Sequence, residues 1–530
     1  MIIIRLFSRT AFGLSHNMAL PVVTVLGIAT LAAIIFLPDS LTTRYFHDDA
    51  FFVLKTANNI GSGHGSTFDG INLTNGYHPL NLWLLSLFSI LMPIEGGSGI
   101  DAVIVVNMAM TAVGLVLIDH FTKQAGFTRF ARLFVLIGIT GLLAFNDFGL
   151  ESRLLLPIAW LLMLTALRTI RSGNSNTLAF GFVGVAVVLT RLDASIFVIF
   201  IAIFASLWRT QPLIWTSLRA AFNRFTLLIL PSAVAVLGYM IYNWVVFSEP
   251  MTVSSWLKFG WPIVWDSNRL FQPGMFMRVG LCLSVSLAFM LAVYVVPFNF
   301  KRRLVSGNQG GIQWLLGAAN AYSVIYVLIV IVFLRGEFGS WYLTLPLSIS
   351  IITFGYLMVI FFEVLEGTQM GISALRTSAK VLLMSAVIAV AIIFSMSKIA
   401  RGERDNAIAM GMWMRDNLPA DARIYQVDQS EYTAYFSERS VINGDGLINS
   451  WEYQDALRND GLIDYLKKYG VGFMINTHST SNIRVRLWNE PSQILTFKKE
   501  PEKMVIFGKF VLLKVDLSSA VVIQQENDSL

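Results

Sequence analysis

Residues 44–83, RYFHDDAFFVLKTANNIGSGHGSTFDGINLTNGYHPLNLW, form a long polar segment between two strongly apolar parts of the chain. The segment contains the adjacent carboxylates Asp48 and Asp49, three of the six histidines and five of the 39 glycines. Charged groups and irregular backbone are costly in lipid, so a segment of this kind lies outside the bilayer and has a role there. We therefore predict a functional outer loop over residues 38–100.

The composition of the whole chain is that of an integral membrane protein. Of its 530 residues, 55% are hydrophobic and only 14% are charged, and the mean hydropathy is +0.64. Soluble domains carry about 25% charged residues. The net charge of +6 comes from basic residues in short loops between apolar runs, which argues against a nucleic-acid partner. The single cysteine, Cys282, lies in an apolar run, which excludes a disulfide framework and a cysteine metal site.

Eleven apolar runs are candidates for membrane-spanning helices, which need about 17–25 mostly apolar residues. These runs are residues 19–37, 101–119, 130–146, 154–168, 177–191, 194–208, 225–247, 276–297, 312–334, 341–363 and 380–398. The first run is too long for the core of a signal peptide and has no small-residue cleavage site after it. We therefore expect it to remain as the first helix.

The basic residues predict the orientation of these helices. Arg5 and Arg9 place the N-terminus in the cytoplasm, because basic loops stay on that side of the membrane. The other basic clusters also lie on the cytoplasmic side only if residues 79–92 do not cross the membrane. We therefore predict that 79–92 is a helix in the outer interface. Residues 1–398 then form the transmembrane domain, and residues 399–530 lie outside the cytoplasm.

Residues 399–530 show a pattern of alternating helices and strands. The predicted elements are helices over 407–418, 431–436 and 451–469, strands over 423–427 and 471–475, and a β-hairpin over 503–515 around Gly508. This order indicates a small α/β domain. The expected fold class is thus an α-helical polytopic membrane protein with about 11 transmembrane helices and a C-terminal extracytoplasmic α/β domain.

Asp48 and Asp49 are the first candidates for chemistry. A carboxylate can take a proton from a hydroxyl group, and a second one can orient a substrate or help to hold a metal. The alternative is that Asp48 only caps the helix that follows. The glycine-rich turns after that helix would allow the loop to fold back and bring His78 near Asp48. Each histidine taken alone is more often structural or simply exposed.

Basic residues at the outer turns form a second group, because the positive-inside bias makes each of them an exception. These residues are Arg44, Arg153, Arg191, Lys258 and Arg335, with Glu151, Asp193 and Glu337 near the last three arginines in sequence. The alternative for each arginine is a local salt bridge. As a set, the cations are suited to binding the phosphate of a lipid at the outer surface.

Together these features resemble the GT-C superfamily of membrane glycosyltransferases, which use polyprenyl-phosphate sugars. The segment HDDAFFVLKTANNIGSGHGSTFDGINLTNGYHPLNLW is similar to the branch that contains cell-wall arabinofuranosyltransferases. LTRLDA at 189–194, FSEPMTVSSWLK at 247–258 and MGMWMRDNLPADARIYQVDQ, beginning at Met410, extend the resemblance over nearly the whole chain. Asn81 departs from the pattern, because it lengthens the usual spacing before Trp83.

The resemblance implies an inverting transfer of a sugar, with arabinofuranose favoured, from a polyprenyl-phosphate donor to an acceptor hydroxyl. Asp48 or Asp49 would be the base, and which of the two remains open because the family pair is often Glu-Asp. Arg191 and Lys258 would lie near the donor phosphate, and the expected donor-side residues also include Arg153, Arg335, His78, Tyr77 and Glu151. Asp445 and Asn449 are expected on the acceptor side, with a left-handed turn as the alternative.

The resemblance further implies a multi-pass protein of a bacterial inner membrane, with a periplasmic C-terminal domain. The acceptor is a glycan, a lipid or a protein such as a pilin. The resemblance implies no certain cofactor, and it leaves open whether a divalent cation assists the transfer. The alternatives to the transferase are an oligosaccharide ligase or polymerase and a polytopic lipid-sugar transporter or flippase. A transporter predicts internal repeats and charges near the midplane, whereas the charges here lie at the ends of the spans.

Overall fold

The computed structural model describes most of the chain. The described residues are 42–145, 148–172, 177–208, 215–259, 273–294, 309–335, 339–366, 403–477, 482–485 and 493–524. The predicted spans 19–37 and 380–398 and the predicted domain boundary at 398/399 lie outside them. Each of the other nine predicted spans coincides with a helix.

Twelve α-helices precede residue 367 in the part of the chain that the structure describes. They are α1 Asp48–Gly61, α2 Pro79–Leu91, α3 Gly96–Gln124, α4 Arg129–Phe145, α5 Ser152–Ser172, α6 Thr177–Thr190, α7 Ser195–Leu207, α8 Trp215–Phe247, α9 Val253–Lys258, α10 Pro273–Tyr294, α11 Gln309–Phe333 and α12 Thr344–Glu366.

Five of the described helical segments are long and apolar enough to cross a membrane. These segments are Gly99–Gln124, Ser152–Arg171, Ser217–Phe247, Gly311–Phe333 and Ser340–Ile360. Helices α2, α6, α7 and α10 contribute shorter apolar segments. Since lipid cannot satisfy backbone polar groups, runs of this composition form helices. The chain is therefore a multi-pass membrane protein, while the total of eleven spans and the orientation stay predictions.

Helix α2 has 13 residues, which is too short to cross a bilayer comfortably. It packs on α1, where a side chain at Gly61 would meet Ser89 Oγ at 2.7 Å. Asn58 of α1 joins the two helices further, since its Oδ1 accepts hydrogen bonds from Ser89 Oγ at 2.9 Å and from Ile94 N at 3.1 Å. The predicted helix over 79–92 is thus present as α2, and its place in the interface remains a prediction.

The C-terminal residues form a small α/β unit, as the sequence predicts. Its helices are α13 Glu403–Asn417, α14 Ser430–Ser437, α15 Trp451–Arg458 and α16 Leu462–Lys468. Its strands are β1 Arg423–Gln426, β2 Ser440–Asn443, β3 Phe473–Asn476, β4 Ile483–Val485, β5 Gln493–Phe497, β6 Glu502–Phe507, β7 Phe510–Lys514 and β8 Ala520–Gln524.

These strands form two sheets. The larger has the order β2-β1-β3-β7-β6, in which β1 runs parallel to β2 and β3, and the hairpin β6–β7 adds antiparallel strands. The smaller is antiparallel with the order β4-β5-β8. Gly508 has a φ of +54° in the turn of the predicted hairpin. The single helix expected over 451–469 is wrong, because it breaks into α15 and α16 at Asp460, whose φ is +52°.

Candidate active site

A cavity of about 310 Å³ lies where the predicted outer loop, the ends of membrane helices and the C-terminal unit meet. Helix α1, the start of α2, the α6–α7 junction and α9 all contribute to its wall. The residues of the wall with ionisable acidic or basic side chains are Asp49, His78, Glu151, Arg191, Asp193 and Lys258. Trp341 and Tyr342 add aromatic rings, and Leu447 and Ile448 come from the C-terminal unit.

The two adjacent aspartates face different surroundings, because successive residues of a helix point about 100° apart. Asp49 lines the cavity, and its Oδ2 lies 3.8 Å from Lys258 Nζ. Asp48 is not part of the described cavity wall and instead forms a close ion pair with His47 Nδ1. His47 stands at the N-cap position of the helix, and Asp49 N donates a hydrogen bond to Asp48 Oδ1 at 3.1 Å.

The pKa of Asp48 makes it a poor proton acceptor. Burial opposes ionisation of this carboxyl group, but the charges of His47 and Arg404 and the hydrogen bond to His47 outweigh it and lower the pKa to about 2. A general base works best when its pKa lies near the working pH. Of the two predicted bases, Asp49 is the one that lines the cavity.

Lys258 is brought to Asp49 by the loop that follows α1. Asn75 Oδ1 accepts a hydrogen bond from Val253 N, and Asn75 Nδ2 donates to the carbonyl of Met251, both at 3.0 Å. These bonds fasten the first turn of α9, and Lys258 is the last residue of that helix. Burial lowers the pKa of Lys258, but Asp49 and other nearby acidic groups raise it above its ordinary value. The lysine consequently remains a cation.

Arg191 lies at the α6–α7 junction and is already neutralised. Its Nη1 donates to Glu151 Oε1 at 3.0 Å, and its Nε and Nη2 donate to the two oxygens of Asp193 at 3.0 and 2.8 Å. Tyr326 also donates to Asp193 Oδ2 at 2.6 Å. A buried arginine held in this way is expensive to separate from its partners. The local salt bridge given as the alternative for Arg191 is thus present, and Arg191 also lines the cavity.

His78 and Tyr77 lie on the same wall. His78 adopts the expected extended conformation before Pro79, with φ −89° and ψ 123°, and its Nε2 lies 3.8 Å from Glu151 Oε1. Burial lowers the pKa of His78, so the imidazole is neutral at neutral pH. Tyr77 shares a 2.6 Å hydrogen bond with Ser66, which fixes the loop. The loop therefore folds back as predicted, but it brings His78 to the cavity of Asp49.

Two of the predicted phosphate ligands, Arg153 and Arg335, are placed elsewhere. Arg153 is 1% exposed, lies over the Phe148 ring at 4.0 Å and donates to the carbonyl of Leu143 at 2.6 Å. Arg335 is buried, and its backbone N–H donates to the carbonyl of Lys258 at 2.7 Å. Neither belongs to the described cavity wall. Whether an arginine at a helix end faces the cavity depends on how that helix is rotated against the helices that pack on it. The residues next to the arginine in the sequence do not determine this rotation.

The predicted acceptor-side residues Asp445 and Asn449 lie in the turn beside the cavity. Asp445 Oδ1 accepts a hydrogen bond from Leu447 N at 2.8 Å, and Gly446 between them has a φ of +82°. Asn449 is buried and donates to the carbonyl of Asn443 at 2.7 Å. The left-handed turn given as the alternative is therefore present. The described residues that reach the cavity from this turn are Leu447 and Ile448.

Trp341 and Tyr342 are parts of the wall that the sequence prediction missed. Their rings stack at 5.9 Å, the Tyr342 ring lies 4.8 Å from the Arg191 guanidinium, and Trp341 meets the edge of His47 at 4.3 Å. The signal was present in RGEFGSWY, where both aromatic residues follow Arg335. Both residues stand at the start of the predicted span 341–363.

His47, Asp48 and Asp49 form a group that could hold a metal ion, since one ligand atom from each lies within 4.8 Å of the others. An imidazole nitrogen with two carboxylate oxygens suits several divalent cations. The nitrogen closest to Asp48 is already engaged in the ion pair, however. Participation of a divalent cation therefore stays a prediction.

Comparisons with known proteins return likenesses of structure alone. No protein-family model matches this chain, and no curated protein matches it significantly. One similar solved structure is ArnT from Cupriavidus metallidurans bound to undecaprenyl phosphate, with 9% identity, a TM-score of 0.49 and coverage of 92% of this chain and 97% of that chain. Another is the same ArnT in the apo state, with 10% identity, a TM-score of 0.49 and coverage of 93% and 98%. The likeness to the arabinofuranosyltransferase branch stays a prediction.

Proposed function

We propose that this protein is a membrane glycosyltransferase that moves a sugar from a polyprenyl-phosphate donor to an acceptor hydroxyl. The observation that supports the proposal is the pairing of Asp49 with Lys258 on one cavity at the ends of membrane helices. A carboxylate and a cation side by side are what a displacement at a sugar phosphate needs, because one accepts a proton and the other stabilises the leaving phosphate.

The proposed reaction is a single displacement with inversion. Asp49 takes the proton of the acceptor hydroxyl, and the hydroxyl oxygen forms a bond to the anomeric carbon. The bond from that carbon to the phosphate oxygen breaks, and its electron pair leaves with the phosphate as a monoester. Lys258 stabilises the charge that grows on this oxygen.

The Asp49–Lys258 pair accounts for how an anionic donor enters an otherwise acidic cavity. Asp49, Glu151 and Asp193 outnumber Arg191 and Lys258 on the wall, and Arg191 is held by two of the carboxylates. At 3.8 Å, Asp49 and Lys258 are in charge contact without a close hydrogen bond. A phosphate that takes Lys258 as its partner releases the Asp49 carboxylate, so donor binding prepares the base.

The remaining elements of the proposal follow the sequence resemblance. The sugar is arabinofuranose, the donor lipid reaches the cavity from the bilayer, and the acceptor approaches from the periplasmic side of a bacterial inner membrane. The apolar atoms of Leu447 and Ile448 and the rings of Trp341 and Tyr342 suit the nonpolar faces of a sugar.

The test compares Asp49→Asn with Asp48→Asn in proteoliposomes that contain radiolabelled polyprenyl-phosphate sugars, with arabinofuranose and mannose donors in parallel. Release of free polyprenyl phosphate in the presence of a membrane acceptor fraction is measured. We expect Asp49→Asn to lose about 10²–10⁴-fold in rate, the usual contribution of a general base. Asp48→Asn, which serves as the adjacent control, should keep more activity. Undiminished transfer by folded Asp49→Asn protein would exclude this role.

A further inference from the structure

The chain just before Asp49 is fastened to the C-terminal unit through Arg404 of α13. Arg404 Nη1 donates hydrogen bonds to the carbonyls of Arg44 at 3.0 Å and Phe46 at 2.7 Å. In the opposite direction, Arg44 Nη2 donates to Asp405 Oδ2 at 2.9 Å. Two neighbouring residues of α13 therefore hold the segment that leads directly into α1.

The opposite side of the same segment is held by the membrane domain. Phe148 N donates to the carbonyl of Tyr45 at 2.9 Å, and Phe46 forms an isolated parallel bridge with Phe148. Three successive carbonyls, those of Arg44, Tyr45 and Phe46, thus have partners in two different parts of the protein. This arrangement fixes the direction from which the chain enters α1, because the carbonyls cannot turn without losing hydrogen bonds.

Packing around the first turns of α1 continues the contact. Phe51 is fully buried, and its ring centroid lies 5.1, 5.0 and 5.7 Å from those of Tyr432, Tyr435 and Phe436 in α14. The guanidinium of Arg404 lies 5.8 Å from the Tyr432 ring. Helices α13 and α14 therefore hold both the entrance to α1 and its buried face.

From this geometry we propose that Arg404 is a positioning residue, through which the C-terminal unit holds Asp49 in its working place in the cavity. The proposal rests on the proposed function, because it assigns Arg404 a role through the base. Arg404 itself is not part of the described cavity wall. Without the Arg404 side chain, we expect the Asp49 carboxylate to be displaced from its working position. Small displacements of catalytic groups lower the rate by up to about 10²-fold.

The matched variants are Arg404→Met, Arg404→Lys and Arg415→Met in the full-length protein. Methionine removes every donor but keeps an apolar stem, and lysine keeps a charge and three donors. Arg415 is the control, because it lies on the same helix with its side chain 42% exposed and forms an ion pair with the adjacent Asp416 at 3.1 Å. Asp405→Asn tests the reciprocal bond from Arg44.

Rates are measured as release of polyprenyl phosphate, and binding is measured with undecaprenyl phosphate as the probe. We expect Arg404→Met to lower kcat at least tenfold, with KM for the donor and Kd for the probe within twofold of the unaltered protein. Arg404→Lys should recover part of kcat, and Arg415→Met should change nothing. A merely structural role would lower the folded fraction and leave kcat per folded molecule unchanged, which would overturn the proposal.

Three further cases separate this inference from the function on which it rests. If Arg404→Met does not fold, Arg404→Lys and Asp405→Asn decide the question, and wild-type kcat in both would overturn the positioning role. If Asp49→Asn keeps its activity, the proposed function fails whatever Arg404 does. If Asp49→Asn is inactive while folded Arg404→Met is fully active, only the positioning role fails.

Discussion

Replacing Lys258 with methionine tests the charge that the proposed mechanism depends on. Lys258 has a side chain only 19% exposed, lines the cavity and lies 3.8 Å from the carboxylate of Asp49. Methionine keeps most of the stem, so the change removes the ammonium group and little packing. The change leaves Asp49, Glu151 and Asp193 in the wall with only Arg191 to balance them.

The size of the effect follows from Coulomb's law. Two unit charges at about 4 Å attract by about 4 kcal/mol when the effective dielectric constant is about 20. The leaving phosphate gains one negative charge in full only when its bond to the sugar has broken. If half of that charge has formed in the transition state, the substitution removes about 2 kcal/mol of attraction and lowers kcat by a factor of ~30. If the full charge has formed, kcat falls by a factor of about 10³. KM should rise as well, because the intact donor already carries a negative phosphate.

The assay is the initial rate of polyprenyl phosphate release in proteoliposomes over a range of donor concentrations. Lys258→Arg should keep part of the activity, and Lys468→Met on the exposed surface of the C-terminal unit is the control. A melting temperature for each variant shows whether it is folded. If folded Lys258→Met has a kcat within threefold of the unaltered protein, Lys258 does not stabilise the leaving phosphate and the proposed geometry is wrong.

The membrane helices could be predicted because each long apolar run has only one way to satisfy its backbone in lipid. The break between α15 and α16 was missed although Asn459, Asp460 and Gly461 form a turn signal. The left-handed conformation of Asp460 ends α15 at this turn, so the local turn residues override the longer helical pattern.

The site was predictable in its residue types but not in its pairings. Arg153 and Arg191 each follow or precede an acid at short range, yet Arg153 turns inward onto Phe148 while Arg191 faces the cavity. The choice between Asp48 and Asp49 depends on how α1 is rotated against its neighbours. That rotation is set by tertiary contacts such as those of Phe51 with α14, which no local pattern encodes.

Two remaining predictions concern the contact between the outer loop and the C-terminal unit. A side chain at Gly76 would meet the carbonyl oxygen of Leu447 at 2.0 Å. We therefore expect Gly76→Ala to lower the activity by about tenfold and to lower the melting temperature. Gly472→Ala is the control, because a side chain there would enter open space and should change neither property. Burial and the nearby Asp48 raise the pKa of Glu431 well above its ordinary value of 4.5. Folding therefore favours the protonated form, and Glu431 lowers the unfolding free energy increasingly as pH rises above 4.5. Glu431→Gln should consequently raise the melting temperature in detergent at pH 8, with a gain that vanishes as the pH falls to 4.5; a gain independent of pH would show that Glu431 is not protonated in the folded protein. Asp48 does not interfere with this measurement between pH 4.5 and 8. Its pKa is lowered to about 2, so the stability that its ionisation contributes is lost only in more acidic solutions.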